Sequence, residues 1–325
     1  MKNIIKVDPK SPERRAIKDA AEILHAGGLV AFPTETVYGL GALALDPHAV
    51  RKIFTAKDRP DWDPLIVHVR DLAMAHALMK RLLPQFELLV SRFWPGPLTL
   101  VVEKAAQVPD EATARRATVA LRMPWHPVAA ALLEATGAPI AAPSANRFGR
   151  PSPTRAEHVV EDLGDRVDLI LDAGPTPMGV ESTVIDLTQS PPAILRPGGV
   201  SREQLEKVLG PVRLAAGVAD EAAQTGLAGP GMTIKHYAPR AVVELFESPD
   251  ELHARADKLR QEGKRIGVLD TAPTVERLAQ TVFAQLRDLD TQGMETILCL
   301  LPAPQGLGLA VRDRLLRAAG KGGQT

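Results

Sequence analysis

The stretch Gly27–Val69, GGLVAFPTETVYGLGALALDPHAVRKIFTAKDRPDWDPLIVHV, decides the fold of this chain. Its two leading glycines end a helix, and the apolar run after them predicts a short buried strand, Leu29–Phe32. A helix is predicted to begin after Asp46, because aspartate caps helix N-termini and Pro47 suits the first helical position. A second apolar run, Leu65–Val67, predicts another buried strand. This alternation of strand, helix and strand predicts an α/β fold.

Polar and cationic side chains stand next to these two strands. Thr34 and Thr36 follow the first strand, and His68 follows the second. Lys57 and Arg59 lie at the end of the intervening helix, in a loop that prolines bound. Because ligands of open α/β sheets bind at strand ends, the stretch predicts a site for a small anionic substrate.

The composition is that of an ordinary globular protein of 325 residues, with 45% hydrophobic and 24% charged residues. The formal net charge is zero, which argues against broad adhesion to nucleic acid or membranes. The only cysteine, Cys299, excludes disulfides and a cysteine-based zinc site. The N-terminal sequence MKNIIKVDPKSPERR has no apolar signal region and no run reaches membrane-spanning length, so we expect a cytoplasmic protein.

Three segments are expected along the chain. Alternating short strands and helices predict an α/β domain over residues 1–210. An Ala- and Gly-rich segment over residues 215–230, followed by the unusual sequence GPGMTIKHYAPR, predicts a linker over residues 211–240. A small Rossmann-like α/β domain is predicted over residues 241–325, and its polar end, GKGGQT, is expected to be disordered.

Apolar periodicity and capping residues place further elements along the chain. The predicted strands are Leu98–Val102, Thr118–Arg122, Ala138–Ala142, Asp168–Asp172, Ser182–Leu187, Ala193–Leu195, Ala241–Phe246, Arg265–Leu269 and Thr296–Leu301. The predicted helices are one capped by Ser11, Leu72–Leu83, Pro127–Ala135, one with Thr154 and Glu157 as capping box, one capped by Ser201 and Gln204, one capped by Ser248 and Glu251, Val275–Asp288 and Leu309–Ala319.

Cationic and hydrogen-bonding side chains follow the ends of several predicted strands. A lone arginine or lysine is usually a solvated surface charge, but four of them at strand ends or in adjoining loops favour an anion site. Arginine suits bidentate contacts to carboxylate or phosphate, and lysine acts as a point charge. The candidates are Thr34, Thr36, Lys57, Arg59, His68, Arg122, Ser144, Asn146, Ser182 and Arg196.

Several alternatives stay open for these residues. His68 on its own is more often a structural histidine, and Ser144 and Asn146 fit an ordinary turn as well as a phosphate or ribose contact. No Gly-x-Ser-x-Gly, Walker A or histidine metal motif occurs, so covalent catalysis, a P-loop and a transition-metal site have no support. The glycines of Gly179–Thr183 and Arg196–Gly199 would allow close backbone approach to a nucleotide or form plain turns.

The motifs PTETVYGLG, KDRP, PLIVH, FWPGPLTLV, ALRMP, PIAAPSAN, GVESTVIDL and LRPGG, in that order, resemble the YrdC/TsaC-type threonylcarbamoyl-AMP synthases. The later GPGMTIKHYAP and GLGLAVRDRLLRAAG resemble the linker and C-terminal domain of the longer, two-domain members. The resemblance covers essentially the whole chain. It implies that the N-terminal domain is a twisted, open mixed sheet (YrdC-like) around a positively charged cavity.

The resemblance also implies a reaction. Members combine L-threonine, bicarbonate (or carbon dioxide) and ATP, release pyrophosphate and form L-threonylcarbamoyl-AMP. This is a nucleotidyl transfer that uses Mg2+ with ATP. A downstream tRNA-modifying transferase complex then moves the threonylcarbamoyl group to an adenosine beside the anticodon, which gives N6-threonylcarbamoyladenosine. Any contact of this chain itself with tRNA is expected to be weak.

Residue roles follow from the same resemblance, position by position. Catalysis is assigned to Lys57 and Arg59. The implied ATP contacts are Lys57, Arg59, Thr118, Ser144, Asn146, Ser152, Arg196 and Tyr237. The implied threonine contacts are Thr34, Thr36, His68, Arg122, Ala142 through its backbone, and Ser182. The chain departs from the family at Asp63, where members often carry asparagine; a carboxylate there could repel phosphate or help hold magnesium.

The charges of the reactants agree with these roles. Carbamoylated threonine is a dianion that must attack the α-phosphate of ATP, so fixed cations are needed to offset the repulsion. Lys57, Arg59, Arg122, Arg196 and magnesium would act through positioning and electrostatics, without a protein nucleophile. The product hydrolyses readily, and the linker around Tyr237 is expected to act as a lid that excludes water.

Two other functions compete with this one. A non-catalytic RNA-binding module would need a basic surface and stacking aromatics, whereas the net charge is zero and aromatics are 4%. A carbamoyl-transfer domain of the hydrogenase-maturation type would need zinc-finger cysteines, which a single cysteine excludes. The C-terminal domain reveals no site of its own, and we expect it to hold the linker over the cavity.

Overall fold

The computed structural model describes residues 4–215, 236–270 and 273–322. These residues form two sheets with helices packed against them. Most of the predicted linker, including its GPGMTIK sequence at 229–235, lies outside the described residues, as do the last three residues of the predicted tail.

A sheet of eleven strands organises the first unit. The strands are β1 (Ile4–Lys6), β2 (Val30–Pro33), β3 (Tyr38–Leu43), β4 (Ile66–His68), β5 (Leu98–Glu103), β6 (Thr118–Arg122), β7 (Ile140–Ala141), β8 (Leu169–Asp172), β9 (Thr183–Asp186), β10 (Ala193–Arg196) and β11 (Arg213–Leu214). Their order across the sheet is β1-β8-β2-β3-β7-β4-β6-β5-β9-β10-β11. Strand β4 runs parallel to β6, whereas β7 is antiparallel to both β3 and β4. The predicted open, mixed α/β sheet is confirmed.

Helices cover both faces of this sheet. They are α1 (Arg14–His25), α2 (Pro47–Lys57), α3 (Leu72–Ala77), α4 (Pro84–Phe93), α5 (Asp110–Thr113), α6 (Pro127–Thr136), α7 (Ala156–Leu163), a 3-10 turn at Gly164–Arg166, and α8 (Arg202–Leu209). Alternate residues of β2 belong to different cores, because successive side chains of a strand point to opposite faces. Val30 and Phe32 pack with α1 and α6, and Ala31 packs in the core that contains α2.

Two of the predicted helix caps are present. The Asp46 side chain accepts a hydrogen bond from the backbone N–H of His48, one residue after the proline that begins α2. At α8 the side chains of Ser201 and Gln204 each accept the other's backbone N–H, which is a complete capping box. These caps fix the ends of the helices that follow β3 and β10.

Two other predicted caps are wrong. Ser11 does not cap α1, because its backbone N–H and that of Lys10 bind the Asp8 carboxylate in a separate turn; the N-cap is Glu13. The capping box of Thr154 does not form either. Helix α7 begins one residue later than that box requires, after Arg155.

The predicted helix Leu72–Leu83 is too long. Helix α3 ends at Ala77, and Met79 then pairs with Lys104 in an isolated bridge. Because Pro84 disfavours a helical conformation in the residue before it, Leu83 is extended with φ −120° and ψ 130°. The proline instead begins α4, an element that the sequence reading did not include.

The second unit is a three-stranded parallel sheet with three helices. Its strands are β12 (Val242–Phe246), β13 (Ile266–Val268) and β14 (Thr296–Leu300), with β14 in the centre. Its helices are α9 (Pro249–Gln261), α10 (Val275–Thr291) and α11 (Leu307–Ala318). The predicted α/β architecture of this part of the chain is confirmed. No helix among the described residues is both long and apolar enough to cross a membrane.

The two units share one apolar core. It is built mainly from α10, α11 and β14, and Val37 and Val180 of the first unit belong to it, as does Tyr237 between the units. Buried ion pairs also cross the boundary: Arg287 of α10 lies 2.5 Å from Asp162 at the end of α7. These contacts join the two units tightly. The predicted domain boundaries at residues 210 and 240 therefore stay a prediction.

Candidate active site

A cavity lies in the first unit, beside His236 and Tyr237, which precede the second unit. It is lined by ten of the residues that the sequence singles out: Thr34, Thr36, Arg59, His68, Arg122, Ala142, Ser144, Ser182, Arg196 and Tyr237. The remaining lining residues are Val37, Gly39, Ile66, Pro143, Glu181 and His236. Separate chain segments therefore converge on one hollow, as the positions of the polar residues after strand ends predict.

Strand register explains why two of these residues meet. His68 and Arg122 are the last residues of β4 and β6 and lie opposite each other in the parallel pair. His68 also pairs with Ile140 of β7, and Ala142 follows directly after that strand. Ser144 comes next in the chain and forms an isolated bridge with Gly39.

Arg122 is a buried cation held by an acid. Its Nη2 lies 2.7 Å from Oε1 of Glu35, and its Nε donates to the backbone oxygen of Gly96 at 3.3 Å. Glu35 is itself buried and does not line the cavity. The pair keeps Arg122 charged inside the protein, since an unpaired buried charge is costly.

His68 is neutral in the folded chain. Burial, together with the neighbouring Arg122 charge, lowers the pKa of His68 to about 3. Its Nδ1 is buried without a hydrogen-bond partner, and its ring lies edge-on to Phe32. His68 can therefore donate or accept a hydrogen bond with a ligand, but it does not supply positive charge near neutral pH.

Hydroxyl groups near this end of the cavity are pre-oriented. The Thr34 and Thr36 hydroxyls lie 2.8 Å apart, and Thr34 also donates to the backbone oxygen of Val37. The Ser182 hydroxyl lies 2.8 Å from that of Thr99 on the neighbouring strand. Such fixed hydroxyls offer hydrogen bonds to a ligand without a large loss of side-chain entropy.

Arg196 and Arg59 are two further cations of the cavity wall. Arg196 donates through Nε and Nη2 to the backbone oxygen of Ser182, at 3.2 and 3.0 Å. Arg59 contacts Oδ2 of Asp63 at 2.9 Å and donates to the backbone oxygen of Pro64. Asp63 is fully buried, and its carboxylate fixes the Arg59 side chain; the predicted roles of Asp63 towards phosphate or magnesium stay predictions.

Lys57 does not line the cavity. It is almost fully buried, and its Nζ donates to the backbone oxygens of Ser144 and Asn146, both at 2.5 Å. Burial, with a contribution from the nearby Arg59 charge, holds the pKa of Lys57 well below its usual value. In this structure Lys57 therefore supports the turn that carries Ser144. A direct contact with ATP, as predicted, would require the Lys57 ammonium group to leave these two backbone oxygens.

Asn146 and Ser152 also lie behind the wall. The Asn146 amide donates to the backbone oxygens of Arg147 and Arg150, which fixes this loop. The Ser152 hydroxyl is buried and donates to Oε1 of Glu181. Their predicted ATP contacts would require these hydrogen bonds to rearrange.

Thr118 lies at the far end of β6. Alternate residues of a strand share a face, so Thr118 lies on the face of Arg122, about 13 Å along the strand. Ala120 and Ile66 form an apolar patch between them on the same face. Thr118 is thus outside the cavity, on the same face of β6 as the cavity residue Arg122.

His236 and Tyr237 close the cavity from the side of the second unit. The Tyr237 ring packs against Phe283 of α10 with centroids 5.3 Å apart, and His236 packs edge-on against Phe148. The backbone N–H of Ala238 donates to the oxygen of Gly149 at 2.8 Å. Burial, followed by the Arg59 charge, holds the pKa of His236 well below its usual value, so this side chain is neutral as well.

The described residues show no preformed cluster of carboxylates for magnesium at the cavity. The three carboxylates closest to the cavity arginines are Glu35, Asp63 and Glu181, and each pairs with an arginine. Among the residues that the structure describes, no group of three or more histidine, cysteine, aspartate or glutamate side chains is placed to hold a metal ion. The predicted Mg2+ stays a prediction, as a counter-ion of the ATP phosphates.

Sequence reasoning missed four residues of this arrangement. In the motif PTETV, Glu35 lies between two predicted site threonines. In the motif GVEST, Glu181 directly precedes a predicted site serine, and His236 directly precedes Tyr237. Their place inside those motifs was the available indication. Arg314 of α11 lies inside the motif GLGLAVRDRLLRAAG, but nothing in that motif indicates its contact with Glu181, which arises from the packing of the two units.

Two family models match successive parts of the chain. Residues 22–198 match the Sua5/YciO/YrdC domain family, described as Telomere recombination, and residues 200–320 match the family described as Threonylcarbamoyl-AMP synthase, C-terminal domain. A Threonylcarbamoyl-AMP synthase of Pyrococcus abyssi is 46% identical over 324 residues, which cover 95% of both chains. One of Bacillus subtilis is 41% identical and covers 96% of this chain and 95% of its own length. A shorter relative with the same name from Alkalilimnicola ehrlichii is 41% identical over 166 residues, 51% of this chain and 86% of its own.

Solved structures give the same result for the fold. A crystal structure of P. abyssi Sua5 complexed with L-threonine superposes with a TM-score of 0.93, at 44% identity and 98% coverage of both chains. A variant of that protein, in which a histidine and a tyrosine next to it are replaced by alanine, also has a TM-score of 0.93, at 42% identity, and covers 99% of this chain and 97% of that one. Because both domain families match in chain order and two relatives are 46% and 41% identical over nearly the full length, the chain belongs to the two-domain threonylcarbamoyl-AMP synthase family.

Proposed function

We propose that this chain makes L-threonylcarbamoyl-AMP from L-threonine, bicarbonate and ATP, with release of pyrophosphate. The observation that carries the proposal is the convergence of three buried arginines, Arg59, Arg122 and Arg196, with fixed hydroxyls in one cavity. The likeness to a P. abyssi structure that contains L-threonine supports the amino acid substrate. Because the three arginines are buried, this site suits a small polyanion better than the surface of a folded RNA.

The threonine end of the cavity is assigned to the region around Arg122. Its guanidinium faces the substrate carboxylate, which suits a charge-assisted bidentate contact. The neutral His68 and the hydroxyls of Thr34 and Thr36 supply hydrogen bonds to the remaining polar groups of the amino acid. Backbone atoms at Ala142 complete this end, because strand β7 stops just before them.

The nucleotide end is assigned to Arg59, Arg196 and Ser144. Arg59 and Arg196 offset the charge of the phosphates, and the Ser144 hydroxyl offers a further hydrogen bond. The adenine end of ATP then extends along the sheet face over Ile66 towards Thr118. The distance of about 13 Å between the ends of β6 allows both ligands to lie on one face without overlap.

The reaction needs positioning more than it needs a protein nucleophile. The threonine amine attacks the carbon of bicarbonate, the C–OH bond of bicarbonate breaks, and the hydroxyl leaves as water with an amine proton, which gives the carbamate. A carbamate oxygen then attacks the α-phosphorus of ATP; the bond between the α-phosphorus and the bridging oxygen breaks, and pyrophosphate leaves. This is nucleotidyl transfer, the reaction class that we assign to the enzyme. Arg59 and Arg196 stabilise the charge that builds up at the phosphates. Lys57 acts indirectly, by holding the turn at Ser144.

Water must be kept from the mixed anhydride product. His236 and Tyr237 lie over the cavity, and their packing against the two units makes them suitable as a lid. The product is then passed to a tRNA-modifying transferase complex in the cytoplasm, with Mg2+ entering and leaving as the counter-ion of ATP and pyrophosphate.

The test is pyrophosphate release by the purified chain with ATP and Mg2+. We expect release only when L-threonine and bicarbonate are both present. L-valine is the matched control, because it has the shape of threonine without the hydroxyl, and we expect it to be used at least ~100-fold less efficiently. Equal release of pyrophosphate with threonine omitted contradicts the proposal.

A further inference from the structure

Helix α11 of the second unit places a fully buried arginine behind the cavity wall. Arg314 has no exposed surface, although arginine is rarely buried completely. Its Nε donates to Oε2 of Glu181 at 2.7 Å, and its Nη1 donates to Oδ2 of Asp313, also at 2.7 Å. Glu181 lines the cavity, whereas Arg314 does not. One residue of the second unit therefore holds an acid of the active-site wall.

Glu181 has a second partner and a second neighbouring cation. Its other oxygen, Oε1, accepts the hydroxyl of Ser152. Burial alone would raise the pKa of Glu181, but the charges of Arg314 and Arg196 outweigh burial and lower it, so the carboxylate is ionised. An ionised carboxylate next to Arg196 would ordinarily form an ion pair with it.

That ion pair is absent from the residues that the structure describes at this wall. Arg196 instead donates to the backbone oxygen and the hydroxyl of Ser182, and Glu181 is taken up by Arg314 and Ser152. A backbone carbonyl is a weaker partner for a guanidinium than a carboxylate is. Arg196 thus stays available for a phosphate.

Arg314 also supports the lid. The centre of its guanidinium lies 5.3 Å from the centroid of the Tyr237 ring, within cation–π range. The ring also packs against Phe283, so it lies between α10 and α11. Tyr237 has a left-handed backbone conformation, φ 60°, which needs support from its surroundings.

We propose that Arg314 is a positioning residue for the nucleotide: it keeps Glu181 away from Arg196 and holds Tyr237 over the cavity. The proposal rests on the assignment of this cavity to ATP and threonine. It gives the second unit a defined part in ATP binding, without any contact between Arg314 and the substrates. Without Arg314, the buried Glu181 carboxylate would turn to Arg196 and take the cation that should meet the phosphates.

The primary test is Arg314→Met, measured in the full-length chain by calorimetric titration with ATP and, separately, with L-threonine. We expect the dissociation constant for ATP to rise ~10–100-fold, because Arg196 is lost to an ion pair. The dissociation constant for L-threonine should change less than ~3-fold, since Arg122 keeps its own acid. Arg312→Met is the matched control, because Arg312 lies on the same helix and pairs with Glu247 at the surface.

A double substitution separates positioning from loss of packing. Glu181→Gln removes the charge that would capture Arg196, so Arg314→Met together with Glu181→Gln should bind ATP within ~5-fold of the native chain. If the double variant binds ATP as weakly as Arg314→Met, or more weakly, Arg314 acts only through packing and the proposal is wrong.

A milder variant covers the case in which Arg314→Met does not fold. Arg314→Lys keeps the buried positive charge, but one ammonium group cannot reproduce the fork that joins Glu181 and Asp313. We expect ATP binding at least ~3-fold weaker in this variant, with L-threonine binding unchanged. Unchanged ATP binding would overturn the positioning role, whereas a native chain that binds no ATP would overturn the proposed function itself.

Discussion

Two of the three arginines that line the cavity have a buried carboxylate as a fixed partner. Arg122 is paired with Glu35 at 2.7 Å, and Arg59 is paired with Asp63 at 2.9 Å. A buried guanidinium without a partner would be costly, yet one carboxylate does not use all five of its N–H groups. The remaining N–H groups are the ones that can meet an anionic substrate. Substitution of Arg122 or Arg59 should therefore weaken binding of the ligand that it faces, and it also lowers stability because it leaves a buried carboxylate without its cation.

Arg122→Ala should impair threonine binding selectively. A hydrogen bond to a charged group is worth about 1.5–3 kcal/mol, so we expect the KM for L-threonine to rise ~10–100-fold. The KM for ATP should change little, because we assign the nucleotide to Arg59 and Arg196. Steady-state kinetics with each substrate varied in turn measure both values.

Lys57→Ala is the contrasting variant. Loss of its two hydrogen bonds to the backbone oxygens of Ser144 and Asn146 should loosen the nucleotide side of the cavity, so ATP binding and turnover fall while threonine binding is largely kept. Arg70→Ala serves as a surface control, since Arg70 is partly exposed and two residues after His68. If Arg122→Ala and Lys57→Ala had the same effects on the two substrates, the division of the cavity into two ends would be wrong.

At the scale of elements, the loop between β8 and β9 sets how closely the two units approach. Gly179 lies in this loop with φ +81°, and a Cβ atom at this position would meet the backbone oxygen of Ala279 in α10 at 2.4 Å. Glycine is needed here for two reasons: any other residue would be strained at this positive φ, and its Cβ atom would push α10 away. Glu181, which Arg314 holds, lies two residues further on.

Gly179→Ala should therefore separate the units. We expect the free energy of unfolding to fall by about 2–4 kcal/mol and ATP binding to weaken, since α10 and α11 can no longer pack against the loop. Chemical denaturation and ATP titration measure the two effects.

Gly174→Ala is the matched control for backbone strain. Gly174 lies in the same loop with φ +79°, but no atom lies within 4 Å of the position that its Cβ would take. Its loss of stability should be about 1 kcal/mol, without an effect on ATP. A Gly179→Ala variant that is no less stable than Gly174→Ala would show that close approach of the units is not required.

Most elements of the fold could be predicted from local sequence, and the exceptions have physical reasons. Strand β6 begins and ends where its apolar pattern predicts, at Thr118 and Arg122. Strand β3 was missed for two reasons. It is buried on both faces, so its sequence does not alternate between polar and apolar residues, and its two glycines have low β-propensity. Gly41 of β3 is required there by packing, since a Cβ would lie 2.8 Å from the Phe32 ring.

At the scale of the molecule, the sequence predicted which side chains converge but not what holds them. Residues after strand ends meet at one edge of an α/β sheet, so Arg122 and Ser144 could be placed from their positions alone. Ion pairs such as the one between Arg314 and Glu181 join residues 133 positions apart, and no local pattern encodes them. The interior position of Lys57 could not be predicted either, because it depends on the turn at Ser144.

The second unit supports the cavity wall, although none of its described residues lines the cavity. Its α10 and α11 supply the surface on which Tyr237 packs, and the core that they form includes Val37 and Val180 of the first unit. Lid, wall and sheet therefore form one continuous structure around the site. The central claim is that threonine and nucleotide occupy opposite ends of this one hollow.

The most direct test of that claim is a crystal structure of the chain with L-threonine and a non-hydrolysable ATP analogue with Mg2+. The account predicts the threonine carboxylate on Arg122, beside His68, with the phosphates at Arg59 and Arg196 and the base towards Thr118. A structure with threonine bound away from Arg122, or with the phosphates at Arg122 in its place, would contradict it.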